Sequence, residues 1–268
     1  MNTGIRRWLL TIYVVIACGL ILLPIAIVVL TSLTNADYIS FPPQGLSLKW
    51  YAEVLSDPSW MHSLRTSLAI AALVTGIALL GGVTAALGLR LARGTWAAGL
   101  QMLFLSPLML PTIIIGLAVL RFYQSVGVPA SVLTVALGQA VVATPYVIRL
   151  VLASLAGADP NLERAAHNLG ASRWRTFWRV TFPLARHGIV AGALFAFIVS
   201  LDDVNIALFL SDIHTTPLPV ALFSYIEQNA DPLGAAVASL LVFLALILMV
   251  VCDRAVGIDR LFGLRGAR

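Results

Sequence analysis

The chain has 268 residues, of which 60% are hydrophobic and only 11% charged, and its mean hydropathy is +0.95. A soluble domain of this length has about a quarter of its residues charged, so the composition excludes an ordinary water-soluble fold and predicts a bilayer as the solvent. The net charge of +5 does not indicate nucleic acid, because the arginines flank apolar stretches and form no separate basic domain.

Six apolar stretches are long enough to cross a membrane as helices, which takes about 20 residues each. They cover residues 9–30, 66–89, 100–122, 131–152, 189–210 and 233–256. The first follows Arg6 and Arg7 as a signal peptide would, but its apolar core is too long and no small-residue cleavage site follows, so we expect a retained anchor. The pattern predicts an all-α membrane protein, a single transmembrane domain over residues 1–268 with six transmembrane helices.

The distribution of basic residues predicts the orientation of these helices. With the N-terminus inside, 14 of the 17 basic residues fall in cytoplasmic segments, and only Lys49, Arg65 and Arg121 lie outside. The positive-inside rule therefore predicts that both termini are cytoplasmic. The connection over residues 159–184 is then cytoplasmic as well.

The external connections and the prolines within the stretches leave alternatives open. Tandem prolines in residues 33–62 predict an extended turn, and residues 211–232 fit either a short surface helix or a simple connector. Pro107 and Pro111 interrupt the third apolar stretch, and each removes a backbone hydrogen bond. Such breaks line cavities in transporters, but ordinary kinks tolerated by packing are an equally good interpretation, as they are for Pro24 and Pro145.

The cytoplasmic connection over residues 159–184 has the signals of two consecutive helices. Asp159 and Pro160 predict the start of the first helix, and Gly170 stands where a helix end favours a residue tolerant of positive φ. One face of this helix holds small and aliphatic residues: Leu162, Ala165, Ala166 and Leu169.

The second helix of this connection is amphipathic in a different way. Ser172 can cap its start, and Pro183 is expected to end it before the fifth apolar stretch. Its two faces are aromatic and basic, with Trp174, Phe177 and Trp178 on one and Arg175 and Arg179 on the other. Aromatic and arginine side chains of this kind suit the headgroup boundary of a membrane.

The connection resembles the EAA loop of ABC-importer permeases, which reads EAA, three residues, Gly, nine residues, an aliphatic residue, one further residue, and then an apolar residue and Pro. Here Ala165 and Ala166 precede three residues and Gly170, nine residues separate Gly170 from Val180, and Phe182-Pro183 closes the motif. The glutamate position of the motif holds Arg164, and Glu163 lies one place earlier. Which of these two side chains contacts the partner is open; the wrong sign of Arg164 favours Glu163.

The resemblance extends over nearly the whole chain. Together with the six stretches, "FPPQGLSLKWY" and "SLDDV" make the chain similar to permease subunits of the spermidine/putrescine type, with a type I ABC importer-like fold. The resemblance implies a cytoplasmic coupling helix that docks on an ABC ATPase dimer, a second homologous permease subunit, an extracytoplasmic solute-binding protein and a bacterial inner membrane. It implies coupling roles for seven residues: Glu163, Arg164, Ala165, Ala166, Leu169, Gly170 and Pro183.

The same resemblance implies the solute class. A polyamine is expected, and opines, amino acids, phosphonates and ferric iron, which other members of the family import, stay open as alternatives. The chain is expected to have no catalytic residue and no cofactor of its own, with ATP and Mg²⁺ bound by the partner ATPase. A P-loop needs a lysine after its glycines, and the only lysine, Lys49, follows Leu48 in an external segment.

Metal and disulfide sites are not expected either. The histidines are scattered and lack metal-ligand spacing: His62, His167, His187 and His214. Cys18 and Cys252 lie within apolar stretches, where packing is the expected role.

Two adjacent carboxylates in the fifth stretch are candidates for a transport path. Asp202 and Asp203 lie at a depth of roughly 20 Å, counted from Ile189 at 1.5 Å per residue. A charge at the centre of a spanning helix costs about 2.5–3.5 kcal/mol, so both must face protein or water. They fit either an acidic wall for a cationic solute or a polar packing network with Asn205 or with the second permease. An ion-coupled secondary transporter using them as a proton site is a further alternative, which leaves the EAA spacing unexplained.

Overall fold

The computed structural model describes residues 3–92, 94–157, 159 and 161–256. Within this part of the chain, helices and turns account for the regular structure and no β-strand is present. The helices are, in chain order, α1 (Thr3–Ser32), α2 (Lys49–Ser56), α3 (Pro58–Leu91), α4 (Thr95–Leu105), α5 (Thr112–Val126), α6 (Val132–Ala156), α7 (Asn161–Asn168), α8 (Arg173–Thr176), α9 (Phe182–Leu201), α10 (Asn205–Leu210), α11 (Leu218–Gln228) and α12 (Leu233–Val256).

Five helical stretches are long and apolar enough, by length and composition, to cross a bilayer within the described ranges. They are Arg7–Ser32, Pro58–Leu91, Val132–Ala156, Arg173–Leu201 and Leu233–Val251. The bent pair α4 and α5 gives a sixth if it is counted as one span. The predicted class, an all-α membrane protein with six transmembrane helices, is consistent with this arrangement.

The third apolar stretch is broken where the prolines lie. A 3₁₀ turn over Ser106–Met109 follows α4, and Pro111, with ψ of 129°, precedes the first residue of α5. The axes on the two sides of the break differ by 101°. A proline cannot donate a backbone hydrogen bond and disfavours helical geometry before it. Of the two interpretations left open for Pro107 and Pro111, a break in the stretch 100–122 is therefore the one that the structure has, and an ordinary kink is not; Pro24 and Pro145, in contrast, lie inside continuous helices.

Residue contacts divide the chain into two compact units. The larger unit contains Ser63–Ala221, and its core is the contact between α6 and α9. Two glycines of α9 allow this contact: a Cβ at Gly188 would lie 2.5 Å from the Leu150 carbonyl oxygen, and a Cβ at Gly192 would lie 3.2 Å from the Cα of Val147. Close approach of the two backbones therefore requires glycine at both positions.

The smaller unit contains α1, α2 and the stretch Leu222–Leu244. A chain of hydroxyl groups joins its elements, because Tyr51 OH lies 2.6 Å from Ser32 Oγ and 2.7 Å from Ser239 Oγ. Trp50 adds a hydrogen bond of 3.0 Å from its Nε1 to the Thr34 carbonyl oxygen. These bonds hold in place the segment after α1, where the tandem prolines predict an extended turn.

The connection from α10 leads through a tight loop into α11, so a helix and not a simple connector occupies residues 218–228. In the loop, the Asp212 carboxylate accepts hydrogen bonds from the Thr215 hydroxyl at 2.7 Å and from the backbone N–H groups of His214 and Thr215. The bond from the Thr215 hydroxyl is the main reason why the pKa of Asp212 lies below its usual value.

Candidate functional site

The helix α7 presents an apolar face that no other described element covers. Asp159 starts it by accepting a hydrogen bond of 2.9 Å from the Asn161 N–H, while Pro160, predicted as its first residue, lies outside the described residues. Leu162 and Leu169 are 46% and 88% exposed. Ala165 is exposed and Ala166 half-buried between them. The predicted small and aliphatic face is thus available for a partner.

The turn after α7 requires glycine by its conformation. Gly170 has φ of +81°, and its N–H donates to the His167 carbonyl oxygen at 2.9 Å while the Ala171 N–H donates to the Ala166 carbonyl oxygen at 3.0 Å. This is the Schellman pattern of a helix end. A Cβ at Gly170 would meet no heavy atom within 4 Å, so the positive φ alone selects glycine, as predicted.

The second helix continues into the fifth apolar stretch. Ser172 caps α8 by accepting a hydrogen bond of 3.3 Å from the Arg175 N–H, as predicted. A π-helical turn over Phe177–Thr181 then joins α8 to α9, with the Phe182 N–H bonded to the Phe177 carbonyl oxygen. The prediction that Pro183 ends the helix is wrong, because the helix continues through it into α9. A proline lacks an N–H and clashes with the preceding turn of a regular α-helix, and the wider π turn before it accommodates this.

The aromatic residues of this segment pack on one another. Trp174, Phe177 and Trp178 have ring centroids 5.2–6.2 Å apart, and Trp178 lies 5.0 Å from the ring of Phe182. The shared aromatic face predicted from the sequence is therefore present.

Glu163 faces the interior of the chain. One carboxylate oxygen, Oε1, accepts a hydrogen bond of 2.7 Å from Arg90 and another of 2.7 Å from the Thr181 hydroxyl. The Arg90 guanidinium belongs to the last turn of α3. Because Oε1 of Glu163 is engaged within the chain, this geometry argues against the expectation that the side chain contacts a partner.

Arg164 points away from these residues. Its side chain is exposed and reaches the Asn161 Oδ1 at 3.5 Å. The residue at the motif's glutamate position is therefore the charged group that the α7 surface presents.

The Asp pair lies at a break between two helices. The helix α9 ends at Leu201 and α10 begins at Asn205, so the continuous helix predicted over 189–210 is wrong. The Asp203 carboxylate accepts hydrogen bonds from the N–H groups of Ile206 at 3.2 Å and Ala207 at 3.1 Å. These N–H groups have no partner inside the new helix, and a carboxylate that satisfies them starts a helix where the chain would otherwise continue.

Asp203 is also tied to α6. Its Oδ2 accepts a hydrogen bond of 3.0 Å from Gln139 Nε2, and Gln139 Oε1 in turn accepts one of 2.5 Å from the Ser200 hydroxyl. Both Gln139 and Ser200 are buried. Asp203 therefore takes part in a polar packing network within the chain, with Gln139 and Ser200 and not with the Asn205 expected.

Asp202 differs from its neighbour. Its side chain is exposed, and among the residues that the structure describes, none donates a hydrogen bond to its carboxylate or forms an ion pair with it. The pair thus consists of one structural carboxylate and one carboxylate available to a ligand.

Asn205 joins this break to the other one. Its Nδ2 donates a hydrogen bond of 2.9 Å to the hydroxyl of Thr112, the first residue of α5. Gly116 lets the two helices meet, because a Cβ there would lie 3.1 Å from the Asn205 carbonyl oxygen and from the Cα of Ile206. The starts of α5 and α10, each just after a break in an apolar stretch, therefore lie together, and Asp202 lies in the break that precedes α10.

The residues of these clusters that were not predicted from the sequence include Arg90, Thr112, Gln139 and Thr181. Gln139 had a signal, since an amide inside an apolar stretch is costly without a partner. The other three are ordinary residues whose partners lie far away along the chain.

Comparison with known proteins identifies the family. The family described as "Binding-protein-dependent transport system inner membrane component" matches residues 78–257. The chain belongs to this family. It is thus a multi-pass inner-membrane permease subunit of ABC importers, as the resemblance of the loop implied.

Two relatives of the chain are named as polyamine permeases. The chain is 34% identical over 204 residues to the putrescine transport system permease protein PotI of Escherichia coli K12, covering 74% of this chain and 73% of PotI. It is 30% identical over 247 residues to the spermidine/putrescine transport system permease protein PotC of Haemophilus influenzae, covering 91% of this chain and 95% of PotC.

Solved structures share the fold. A bacterial ABC transporter involved in the import of the acidic polysaccharide alginate aligns with a TM-score of 0.75 and 16% identity, covering 95% of this chain and 98% of that one. The MetNI methionine ABC transporter in an inward-facing conformation aligns with a TM-score of 0.62 and 20% identity, covering 73% and 94%. The predicted type I ABC importer-like fold is confirmed.

Proposed function

We propose that this permease subunit forms part of the path for a small organic cation of the polyamine class. The observation that carries the proposal is the exposed Asp202 carboxylate, which no described residue pairs, in the break before α10, whose start is bonded to the start of α5. The names of PotI and PotC, which refer to putrescine and spermidine, support the same class.

The chemistry of the break suits a moving cation. A carboxylate in an apolar stretch is costly while it has no partner, and an ammonium group that passes it relieves that cost for a short time. Asp203 does not compete for the cation because its oxygens are engaged by Gln139 and by the start of α10. The site therefore offers one weak anionic contact, which allows release of the solute, whereas a closed pair of carboxylates would retain it.

The energy for transport comes from a partner in this proposal. An ABC ATPase dimer binds ATP and Mg²⁺ and docks on the exposed apolar face of α7 around Leu162 and Leu169. A second homologous permease completes the path, and a solute-binding protein delivers the cation on the opposite side of the membrane. An exposed apolar surface on a helix that is otherwise polar fits such a protein contact, and the positive-inside rule supports a cytoplasmic location for α7 and both termini.

The resemblance to ABC-importer permeases implies the coupling step. ATP binding draws the two permease subunits' docking helices together, and this movement switches the path from inward-facing to outward-facing. Hydrolysis reverses the movement after the solute has entered. The permease itself contributes a docking face and a path, and the ATPase contributes the chemistry.

Uptake by reconstituted vesicles tests the proposal. The vesicles contain this permease with its partner permease and ATPase, and the solute-binding protein is added outside. The panel comprises putrescine, spermidine, a neutral sugar, an acidic polysaccharide fragment and 2-aminoethylphosphonate, for which the relative PhnV, 28% identical over 234 residues, is named. We expect ATP-dependent uptake of the diamine and triamine. Preference for a neutral or anionic solute, or uptake that does not require ATP, would contradict the proposal.

A further inference from the structure

One carboxylate oxygen connects three helical elements of the larger unit. Glu163 Oε1 in the first turn of α7 is the common acceptor for Arg90, in the last turn of α3, and for Thr181, in the π turn that leads into α9. Both distances are 2.7 Å. Because α3 and the helix containing α9 are both long enough to cross the membrane, this oxygen joins α7 directly to two spanning helices.

The junction is partly shielded from water. The side chains of Arg90 and Glu163 are 19% and 26% exposed, and Thr181 is buried. Hydrogen bonds between ionised partners are shorter and stronger than neutral ones, and salt screens a partly buried pair less than an exposed one. The three groups therefore hold a defined geometry that a solvent-exposed pair would not.

The position of the junction separates it from the docking face. Leu162 and Arg164 of α7 and Leu169 just after it are exposed, whereas the Glu163 oxygen lies toward α3 and the π turn. A partner can thus contact α7 without displacing Glu163 from Arg90. The carboxylate is positioned to carry movement of α7 into the spanning helices, and not to form the contact with the partner.

The hydrogen bond from Thr181 to Glu163 starts in the π turn that leads into α9. Single π turns interrupt the regular hydrogen-bond ladder and occur often at functional sites. Thr181 is the last residue of this turn, and its hydroxyl donates to Glu163. The start of α9 is therefore held by α7 at the point where its own ladder is irregular.

We propose that Glu163 is a positioning residue that makes α7, α3 and α9 move as one when the partner ATPase moves α7. This rests on the proposed function, since it assumes that α7 receives the movement. It assigns to Glu163 an intramolecular role, with Arg90 and Thr181 as its two required partners. If the bonds from Arg90 and Thr181 to Glu163 are broken, α7 should move without moving α3 and α9.

The test compares charge removal with charge exchange. The variants are Glu163→Gln, Arg90→Glu, Thr181→Val and the double variant Arg90→Glu/Glu163→Arg, with Arg186→Gln as the control for loss of an exposed charge without a described partner. Two quantities are measured on the complex in vesicles: the amount of ATPase that co-purifies with the permease, and the amount of putrescine taken up per ATP hydrolysed.

Glu163→Gln and Arg90→Glu should retain the ATPase and lower the uptake per ATP at least about fivefold, within the usual range of coupling between sites. Thr181→Val should lower it less, since one of the two bonds remains. The double variant should recover most of the coupling, because an arginine at 163 can pair with a glutamate at 90 and donate to the Thr181 hydroxyl. Only an intramolecular role predicts this recovery.

Several results would overturn the inference. Wild-type coupling in Glu163→Gln would show that the carboxylate carries no movement. Loss of the ATPase from Glu163→Gln without recovery in the double variant would show that Glu163 contacts the partner instead. A wild-type complex without ATP-dependent uptake of any solute in the panel would overturn the proposed function, and this inference with it, so the two failures are distinguishable.

Discussion

The Asn205 side-chain amide donates a hydrogen bond of 2.9 Å to the Thr112 hydroxyl, and each of the two residues is the first of a helix that starts after a break. A break in an apolar helix frees backbone polar groups, and these are tolerated at membrane depth only in contact with protein or a water-filled cavity. Two breaks that lie together can share one such environment. The pairing therefore explains why both interruptions occur in the same part of the larger unit.

Gly116 makes this pairing possible, and its replacement should disturb it. In Gly116→Val, the added side chain would meet backbone atoms of Asn205 and Ile206 that lie 3.1 Å from the Cβ position. We expect a loss of stability of about 1–3 kcal/mol, as for overpacked interiors, seen as a lower unfolding temperature of the detergent-solubilised protein. Gly76→Val is the control, because no heavy atom lies within 4 Å of a Cβ there. Equal unfolding temperatures for the two variants would contradict the close approach.

Asp203 should behave as a structural residue. In Asp203→Ala, the N–H groups of Ile206 and Ala207 and the Gln139 amide lose their acceptor, and loss of a helix cap costs about 0.5–2 kcal/mol. We expect a lower unfolding temperature. Asp203→Asn is the matched control, since its amide oxygen can still accept from the start of α10 and asparagine caps helices nearly as well. If the alanine and asparagine variants are equally stable, the carboxylate does not cap α10.

The sequence predicts features that depend on neighbours along the chain. Composition and length predict the spanning stretches, and the positive φ of Gly170 and the cap at Ser172 follow from the spacing of helix signals within a few residues. Hydropathy does not predict continuity, however, because a broken helix can be as apolar as an intact one. The break before Asn205 therefore appears only in the structure, whereas the break before Thr112 is one of the two interpretations that Pro107 and Pro111 left open.

The polar clusters could not be predicted for a related reason. Glu163 and Arg90 are 73 residues apart, and Asp203 and Gln139 are 64 apart. No local period links such residues, and their pairing depends on how α3, α6 and α9 pack. The sequence shows that two carboxylates inside an apolar stretch cost free energy unless they face protein or water. It does not distinguish Asp203, which caps a helix, from Asp202, which does not.

The turn after α7 should be required for coupling to the ATPase. In Gly170→Val, a β-branched residue would have to adopt φ of +81°, a conformation that costs an L-residue about 1–2 kcal/mol. The end of α7 should then unwind or tilt and change the docking face. We expect the variant to reach the membrane but to lose solute-stimulated ATP hydrolysis, measured on the purified complex.

Two further variants test whether the turn and the docking face of α7 are both needed. Gly157→Ala is the control, since Gly157 has φ of −84° and no heavy atom lies within 4 Å of its Cβ position. Ala166→Trp keeps the turn but places a large side chain on the docking face, and it should weaken binding of the ATPase. Normal stimulation in both Gly170→Val and Ala166→Trp would mean that α7 does not receive the movement of the ATPase.

Asp202 should determine the uptake of cations without contributing to the fold. The Asp202→Asn substitution keeps the size of the side chain and removes its charge, and its carboxylate has no partner among the described residues that could be disturbed. Loss of one charged contact worth about 1.4 kcal/mol corresponds to about tenfold in affinity, so we expect putrescine uptake at limiting concentration to fall about tenfold while the unfolding temperature is unchanged. Glu227→Gln, which removes an exposed carboxylate outside the spanning helices, is the control and should transport normally.

The comparison with Asp203→Asn separates charge from position, because that variant also removes a carboxylate but one that is engaged by Gln139 and by α10. If Asp202→Asn takes up putrescine as well as the wild-type protein does, the free carboxylate lies outside the path, and the choice of a cationic solute would rest on the relatives alone.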